Sequence, residues 1–330
     1  METYIEINPN FDPFWHSLYF KGLLQLAPSK NISFTIKGFP EYIHKAMMFR
    51  ILHNGRWWKI VLDAEDKLWI NPLGYDWCDV YGKFNIGLDS LESKQEKIIP
   101  IGPIFPIQAL SRSWAFYYWL KSLLILNFKP NNFKDFFANF VYRPYKYSFP
   151  EKAYTPQLSR PDYVFMSSQL WRKDQETNEL RAMFMRECRE MSWVQFEGGF
   201  HPRAGNFEQY KDLFLKKMYP FHEYIQNLRN SAFVLYNHSV AGSHSWRLGE
   251  YLALGKAIIS LPIERKIPAP LIHGTHIHFV EPAKEAIEKA IQLLLSNNLY
   301  RQNLEINARK YYLQNATPEK SIERLLATCK

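Results

Sequence analysis

The stretch that decides the fold runs from Val240 to Pro262 and reads VAGSHSWRLGEYLALGKAIISLP. It predicts a loop of small residues, a helix that opens near Ser245, a stop at Gly255 and a buried strand over 257–260. Serine is a favoured N-cap residue, and glycine commonly takes the left-handed conformation that ends a helix. A helix N-terminus presents free backbone N–H groups and the positive end of the helix dipole, which suits a phosphate. Glu250 follows closely enough to reach a sugar hydroxyl of the same ligand; an ordinary helix–strand pair of an α/β sheet is the alternative interpretation.

The same stretch resembles the nucleotide-sugar-binding motif of GT-B-fold glycosyltransferases, in particular the glycosyltransferase group 1 and exostosin-like families. The family pattern is S-x-R-L-x-E-A-x-A-x-G-x-P-V-I, and the chain matches it at Ser245, Arg247, Leu248, Glu250, Ala253, Gly255 and Ile258-Ile259. In many retaining members two glutamates stand seven residues apart, and Glu250 matches the second, which holds the ribose hydroxyls of the donor. The first falls on Ser243 in this chain, so the resemblance leaves retention or inversion open.

Size and composition indicate a globular protein of two domains. The chain has 330 residues, of which 47% are hydrophobic and 16% aromatic, enough for two domains of about 150 residues with ample cores. The cysteines (Cys78, Cys188 and Cys329) are scattered and odd in number, which fits a reducing compartment. The N-terminal METYIEINPN lacks the basic and apolar regions of a secretion signal. We therefore expect a cytoplasmic protein, with peripheral attachment to the inner face of a membrane as a further option.

A formal charge of +9 predicts anionic partners, such as nucleotide sugars, lipid phosphates or a membrane surface. Nucleic acid is not expected, because no helix-turn-helix, zinc-finger or RNP-like pattern accompanies the charge.

The order of predicted elements indicates an α/β fold. Four prolines between Arg143 and Asp162 mark a joint, so we predict an N-terminal domain over 1–145, a linker over 146–162 and a C-terminal domain over 163–330, with the last helix free to pack back on the first domain. In the second half, strands alternate with helical patterns, which predicts a parallel, doubly wound sheet. The resemblance implies two such Rossmann-like domains facing each other across a cleft, with ligands outside the carboxyl ends of the strands.

Several residues at predicted strand ends are expected to bind the donor. Arg172 and Lys173, after a strand over 163–167, resemble the basic pair that neutralises the donor diphosphate, and Arg181 is an alternative to them; a solvated basic turn is the plain interpretation. The start of the motif helix at 242–246, which includes Ser243, His244 and Ser245, is expected to hold the same diphosphate. Further donor candidates are His201 and Arg203 after the glycine pair Gly198-Gly199, and His238 before the motif loop; structural roles are the alternative for each. Lys256 is interpreted as a solvated side chain.

The loop after the opening strand is the expected acceptor side. Asn8 and Asn10 are predicted to bind the acceptor, and Asp12 or His16 to act as the general base that takes the proton of the acceptor hydroxyl. Asp12 before Pro13 also fits a helix N-cap, and His16 also fits a buried helix residue. A third possibility for the base is the acidic group Asp63, Glu65 and Asp66.

Residues 112–152 combine cations with aromatic side chains. They hold seven basic residues against two acidic ones and fourteen aromatic residues, a composition that suits the headgroup zone of an anionic membrane. Core-facing helices with a basic outer face are the alternative.

We therefore expect a glycosyltransferase that transfers a sugar from a UDP-, GDP- or similar nucleotide sugar to a glycan or lipid-linked acceptor. No Asp-x-Asp pattern is present, so neither a metal nor a cofactor is expected, and the resemblance implies a role in surface polysaccharide or other glycan synthesis. The alternatives are a GT-B-fold sugar-nucleotide epimerase and a catalytically silent module that binds a nucleotide or a glycan.

Overall fold

The computed structural model describes residues 2–88, 96–239 and 242–329, and the chain divides into two compact units. The first unit comprises residues 1–153, 265–269 and 314–330, and the second comprises 154–264 and 270–313. The division falls inside the stretch 146–162 that was predicted as a linker, and the C-terminal segment from 314 is counted with the first unit. Val240 and Ala241, which begin the predicted motif loop, lie outside the described residues.

The first unit is built on a mixed six-stranded sheet. Its strands and the helices between them are β1 (Tyr4–Ile7), α1 (Ser17–Leu26), β2 (Ile32–Phe34), β3 (Ala46–His53), β4 (Arg56–Asp63), α2 (Pro72–Trp77), β5 (Val80–Lys83) and β6 (Ile98–Pro100). The strand order is β2-β1-β3-β4-β5-β6. β3 runs antiparallel to both of its neighbours, whereas the other neighbouring pairs are parallel.

The antiparallel strand departs from the doubly wound domain that was expected, and a two-residue turn explains it. Asn54 and Gly55 join β3 to β4 with φ angles of 53° and 78°. Left-handed angles at both turn positions match the twist of a tight hairpin, and Asn-Gly is the sequence that most favours them. β3 and β4 therefore pair as a hairpin, and β5 and β6 then continue the sheet in parallel.

Helices follow the sheet in the first unit. α3 (Arg112–Ile125), α4 (Phe133–Phe137) and α5 (Arg143–Tyr147) come in succession, with a π-helical turn over Ala138–Tyr142. Ser111 and Asn132 cap α3 and α4, because their side-chain oxygens accept hydrogen bonds from backbone N–H groups in the first turn of each helix.

The second unit carries parallel strands that alternate with helices, as predicted. Its elements are β7 (Tyr163–Ser168), α6 (Gln175–Glu190), β8 (Gln195–Phe200), α7 (Phe221–Asn230), β9 (Phe233–Tyr236), α8 (Arg247–Ala253), β10 (Ala257–Ser260), β11 (His278–Phe279), α9 (Lys284–Ser296) and α10 (Asn298–Asn315). β7 pairs with β8, and β10 lies between β9 and β11, all in parallel. The buried faces of α6 and α9 pack over these strands and form the core of the unit. The predicted α/β class is thus confirmed.

The last helix, α11 (Pro318–Leu326), packs against α1 in the first unit. Gly22 permits this close packing, because a Cβ atom at that position would lie 2.4 Å from the backbone oxygen of Pro318 and 2.5 Å from Ile322.

Some elements differ from the sequence expectation. α2 and β5 were not predicted, since both are short, and residues Glu208–Leu213 form a 3₁₀ helix. Where the described residues run, no helix is both long enough and apolar enough to cross a bilayer.

Candidate functional site

A cavity of about 1080 Å³ opens at the carboxyl ends of strands in the second unit. Its wall is formed by the start of α6, from Lys173 to Met183, and by residues that follow β9, β10 and β11, among them Asn237, His238 and Glu264. Open α/β sheets bind their ligands at this edge. Two of the predicted donor residues, Lys173 and His238, line the cavity.

The cavity wall is acidic. Asp174, Glu176, Glu179 and Glu264 stand against the single cation Lys173 among its lining residues. The cavity itself is therefore poorly suited to a diphosphate and better suited to hydroxyl groups, which donate hydrogen bonds to carboxylates.

The predicted diphosphate clamp, Arg172 and Lys173, lies on the surface. Both residues are exposed, and a guanidinium nitrogen of Arg172 donates a hydrogen bond to the backbone oxygen of Ala204 at 3.1 Å. Arg203 is exposed as well, and it donates to the backbone oxygen of Leu170 at 2.5 Å. Such a surface location matches the solvated-turn interpretation that the sequence left open.

Arg181, the alternative to Arg172 and Lys173, is buried. It lies on α6 and is 5% exposed. Its Nε donates to Oδ1 of Asn237 at 2.9 Å, and one terminal nitrogen donates to the backbone oxygen of Gln169 at 2.9 Å. Burial, followed by the charge of Arg247, lowers the pKa of Arg181 to about 9. The two hydrogen-bond acceptors are neutral, so the positive charge is not compensated by them.

Arg247 is the second cation of this region and the first residue of α8. It is partly buried, and a terminal nitrogen donates to the backbone oxygen of Ser167 at the end of β7, at 2.5 Å. Burial lowers its pKa, but Tyr251, Tyr224 and Glu250 together raise it above its ordinary value. Arg247 therefore stays charged beside Arg181.

Buried polar atoms at or after the carboxyl ends of β7, β8 and β9 lack a hydrogen-bond partner. They are the hydroxyls of Ser168 and Ser243, Nδ1 of His201 and Nδ2 of Asn237. His201 is tied to Arg247 through Ser167, whose Oγ lies 2.9 Å from its Nε2, and Asn237 accepts a hydrogen bond from Arg181. An unsatisfied buried polar group costs about 1–3 kcal/mol, so several together indicate a place for a ligand with many acceptor oxygens. We call Ser168, Arg181, His201, Asn237 and Arg247 the arginine site.

The start of the motif helix differs from the prediction. α8 begins at Arg247 rather than near Ser245, and Trp246 is in the N-cap position. The N–H of Ser245 donates to the hydroxyl of Tyr236 at 3.2 Å, and the N–H of Arg247 points to Oγ of Ser245 at 3.4 Å. Protein oxygens thus occupy N–H groups that were expected to face a phosphate. Gly255 has the predicted left-handed conformation, with φ 60°.

Glu250 lies inside the protein and not in the lining of the cavity. It is 7% exposed, and its carboxylate accepts a hydrogen bond from the hydroxyl of Tyr224 at 2.8 Å. Burial raises its pKa to about 7, although Tyr224 and Arg247 lower it. This placement corrects the expectation that the Glu250 carboxylate is held open for a ribose.

The remaining motif residues take structural positions. His238 is buried, with Nε2 at 3.0 Å from the backbone oxygen of Pro262, and His244 is buried, with Nδ1 at 3.5 Å from the Tyr236 hydroxyl. Lys256, expected to be solvated, is 1% exposed and donates to the backbone oxygen of Arg229 at 3.0 Å. Burial lowers its pKa to about 8.

The glycine pair before His201 serves strand packing. Gly198 lies within β8 with φ 123°, and a Cβ atom there would stand 1.9 Å from the backbone oxygen of Met166 on β7. Gly198 therefore allows the backbones of β7 and β8 to approach closely.

In the first unit, Asp12 caps the turn that precedes α1 and has a raised pKa. Its Oδ1 accepts hydrogen bonds from the N–H groups of Phe14 and Trp15, at 3.0 and 3.2 Å, and its Oδ2 accepts one from Nδ2 of Asn139 at 2.6 Å. Burial, partly offset by the two backbone N–H groups, raises its pKa to about 6. Asp12 is only partly buried.

His16, the other predicted base, is enclosed. Its Nδ1 lies 3.0 Å from the backbone oxygen of Asp12, and its Nε2 lies 3.2 Å from that of Leu62. Burial lowers its pKa. With both ring nitrogens beside backbone carbonyls, His16 has the structural position that the sequence left as its alternative.

The other first-unit candidates are likewise engaged by protein groups. Oδ1 of the buried Asn8 accepts a hydrogen bond from the N–H of Asn10 at 2.9 Å. Asp63 is buried and forms an ion pair with the buried Lys83 at 3.0 Å. Glu65 and Asp66 both pair with Lys45.

The chain is similar to solved structures of sugar-nucleotide enzymes. One is the C-terminal domain of a glycosyl transferase group 1 family protein from Francisella tularensis, at 14% identity and a TM-score of 0.39, covering 51% of this chain and 97% of that one. A glycosyltransferase from Rickettsia africae matches at 11% identity and a TM-score of 0.44, covering 76% of this chain and 62% of that one. A UDP-GlcNAc 2-epimerase from Neisseria meningitidis, bound to UDP-GlcNAc, matches at 14% identity and a TM-score of 0.38, covering 78% and 62%.

Glycosyltransferases, the class that the stretch 240–262 resembles, are thus represented among the structures to which the chain is similar. No protein-family model and no curated protein matches the chain. The chain spans less than two thirds of the Rickettsia and Neisseria proteins.

Proposed function

We propose that the protein is a glycosyltransferase that uses a nucleotide-diphosphate sugar as its donor. The proposal combines the resemblance of residues 240–262 with the arginine site of the second unit. It includes transfer to a glycan or lipid-linked acceptor, without metal or cofactor, in the synthesis of a surface polysaccharide or another glycan. Binding of the acceptor at a membrane surface is a separate proposal, carried by other residues.

The observation that carries the proposal is the pair Arg181 and Arg247 at the carboxyl ends of β7 and β9. Two neighbouring guanidinium groups with neutral acceptors form a positive, partly dehydrated site, and each presents a planar fork that matches phosphate oxygens. The unpaired atoms of Ser168, His201 and Asn237 supply further polar contacts to the same oxygens. A diphosphate therefore fits this site better than a neutral ligand does.

Asn237 connects the arginine site to the cavity. It binds Arg181 and also lines the cavity, so a ligand with its diphosphate at the arginines extends its remaining part into that space. Carboxylates such as Glu176 and Glu264 on the cavity wall would accept hydrogen bonds from sugar hydroxyls. Cations for the diphosphate and carboxylates for hydroxyls together suit a nucleotide sugar.

The two arginines also have a chemical role in this proposal. When the bond from the anomeric carbon to the diphosphate breaks, the leaving oxygen gains negative charge. Fixed cations in a partly buried site stabilise that charge without reorganising at the moment of reaction. Asp12, with its pKa raised to about 6, is retained as the proposed general base, because a base with such a pKa can accept a proton from the acceptor hydroxyl near neutral pH.

Nucleotide binding tests the proposal directly. Calorimetry with UDP, GDP, ADP and dTDP, each beside its nucleoside, should identify a diphosphate that binds the purified protein. Arg181→Gln and Arg247→Gln should each weaken that affinity roughly 10- to 100-fold, since a hydrogen bond to a charged group is worth about 1.5–3 kcal/mol. Arg172→Gln, an exposed arginine of the predicted clamp, is the matched control and should bind like the wild type. If the Arg172 variant loses affinity while both others keep it, the diphosphate is bound elsewhere.

Turnover distinguishes the three functions that the sequence left open. The diphosphate found above is used as a sugar nucleotide, with and without glycan or lipid-linked acceptors. Release of nucleoside diphosphate that depends on the acceptor supports transfer. Conversion of the sugar nucleotide without an acceptor identifies an epimerase, and binding without any conversion identifies a silent module; both would refute the transferase.

A further inference from the structure

The outer face of α3 is apolar, which is unusual for a surface helix. Its buried residues include Ala115, Tyr118 and Leu123. Its exposed residues are mostly apolar too, namely Trp114, Phe116, Tyr117, Leu120 and Leu124. A helix at the surface of a soluble domain ordinarily carries polar residues on the side away from the core.

The apolar surface continues from α3 to α4 as one cluster of rings. Trp119 lies 5.3 Å from Phe116, 6.3 Å from Phe133 and 5.2 Å from Phe137 between ring centroids. Phe116, Phe133 and Phe137 are themselves exposed, as is Phe128 in the segment that joins the two helices. We call Trp114, Phe116, Tyr117, Leu120, Leu124, Phe128, Phe133 and Phe137 the aromatic face. A contiguous apolar patch of this kind on a soluble protein marks an interaction surface.

Cations frame the aromatic face. Lys121 lies within 6.0 Å of the rings of Tyr117 and Phe34, and Lys146 lies over Tyr142 and Tyr147. Lys129 and Lys134 are exposed on either side of the turn between α3 and α4. Residues 112–152 include seven basic and two acidic side chains. The aromatic face therefore presents apolar side chains in a region with an excess of positive charge.

We propose that the aromatic face docks on the surface of an anionic lipid bilayer. Aromatic rings beside lysines suit the boundary between headgroups and acyl chains, where rings are half dehydrated and ammonium groups meet lipid phosphates. α3 has fourteen residues and α4 five, so these helices would lie in the interface and not span it. A second copy of the chain is a poorer occupant, because the same positive field would face itself. The proposal does not depend on the sugar-nucleotide reaction.

Vesicle co-sedimentation tests the docking. The full chain, without nucleotide, is mixed with vesicles of phosphatidylglycerol and phosphatidylcholine, or of phosphatidylcholine alone, at low and high salt. We expect binding to the anionic vesicles at low salt and a marked loss at high salt, since lipid charge attracts lysines over a screened distance. Phe116→Ser combined with Leu124→Ser should weaken the partition coefficient roughly tenfold or more. Lys129→Gln with Lys134→Gln should do the same at low salt.

Matched controls come from the second unit. Leu299→Ser with Ile306→Ser removes two exposed apolar side chains of α10, which are 71% and 64% exposed, and Lys216→Gln with Lys289→Gln removes two exposed cations. Both controls should bind vesicles like the wild type, and circular dichroism confirms that each variant is folded.

Three results would overturn the docking. One is the absence of wild-type binding to anionic vesicles at low salt, and another is equal loss in the control variants. The third is a wild-type dimer, detected by light scattering without lipid, together with no binding to vesicles. If the Phe116/Leu124 variant is then a monomer, the aromatic face belongs to an interface with a second copy. Nucleotide affinity, measured in parallel, is independent of all three.

Discussion

Replacing Glu250 with glutamine should make the protein more stable at alkaline pH and should leave it unchanged at acidic pH. Burial raises the pKa of this carboxyl from 4.5 to about 7, so the folded protein favours the protonated form. The stabilisation is fully present below the unfolded pKa and is lost as the pH rises through about 7. Glutamine resembles the protonated form in shape, still accepts the Tyr224 hydrogen bond and does not titrate.

The magnitude follows from the pKa. Since each pH unit between the folded and unfolded values is worth about 1.4 kcal/mol, the wild type should lose about 3 kcal/mol of unfolding free energy from this group between pH 4.5 and pH 8. The carboxylate is almost fully buried, so solvent screening reduces this figure little. Glu250→Gln should therefore exceed the wild type by up to about 3 kcal/mol at pH 8 and match it near pH 4.5.

The assay is urea unfolding of both proteins at half-unit steps from pH 4.5 to pH 8.5, with tryptophan fluorescence as the signal. The measured quantity is the difference in unfolding free energy between variant and wild type. Glu285→Gln, a variant of an exposed glutamate, controls for the general effect of one charge. A difference that does not change with pH, or a glutamine variant less stable at pH 8, would show that Glu250 is ionised at no cost and would restore it as a candidate ligand group.

Two further predictions concern buried charges. Burial lowers the pKa of Lys256 to about 8, so the wild type should gain stability as the pH rises from 8 to 10.5. Lys256→Met should be about 3 kcal/mol more stable than the wild type at pH 7 and should lack that gain. Thermal melts in which both proteins gain stability equally with pH would contradict this. For Asp12, transfer activity should rise with pH through about 6 and fall at least 100-fold in Asp12→Asn, whereas a variant that keeps both rate and pH profile is incompatible with the base assignment.

The parts of the fold that could be predicted are those where a local rule and the tertiary structure agree. The strand 257–260 and the left-handed Gly255 before it occur as expected, because a short apolar run after a helix-ending glycine is typical of a buried strand. The antiparallel direction of β3 was not predicted, although the sequence Asn54-Gly55 favours a hairpin turn. α2 also carried a signal, since Asn71 caps it and Pro72 opens it.

The site was harder to predict, because a residue at a strand end can face either solvent or the core. Arg172 and Lys173 stand nearer the end of β7, yet Arg181 is the buried cation. A signal for Arg181 was present in α6: it lies between Leu180 and Phe184 on the apolar side of an amphipathic helix. Arginine is rarely buried without a binding partner. An arginine on the apolar side of a helix is therefore a more specific sign of a binding site than an arginine that merely follows a strand.

The motif stretch contains the predicted helix and strand, but its most prominent residue, Glu250, has surroundings that the pattern did not predict. Every residue from Leu248 to Ala253 is buried, so the short helix α8 has no exposed face from which Glu250 could reach a ligand. Arg247, one residue earlier, is only partly buried and points to the end of β7. The pattern matches both Arg247 and Glu250, but of these two charged residues Arg247 is the more exposed.

The arginine site contains groups that cost folding free energy in the free protein and that an anionic ligand would stabilise. Burial, followed by the charge of Arg247, lowers the pKa of Arg181, and buried side-chain atoms of Ser168, His201 and Asn237 have no hydrogen-bond partner. Replacing such groups by apolar ones would stabilise the folded chain, and under the proposed function they are kept because the donor diphosphate pairs them. An anion with several acceptor oxygens satisfies both defects at once, because it neutralises the arginines and accepts the free hydrogen bonds.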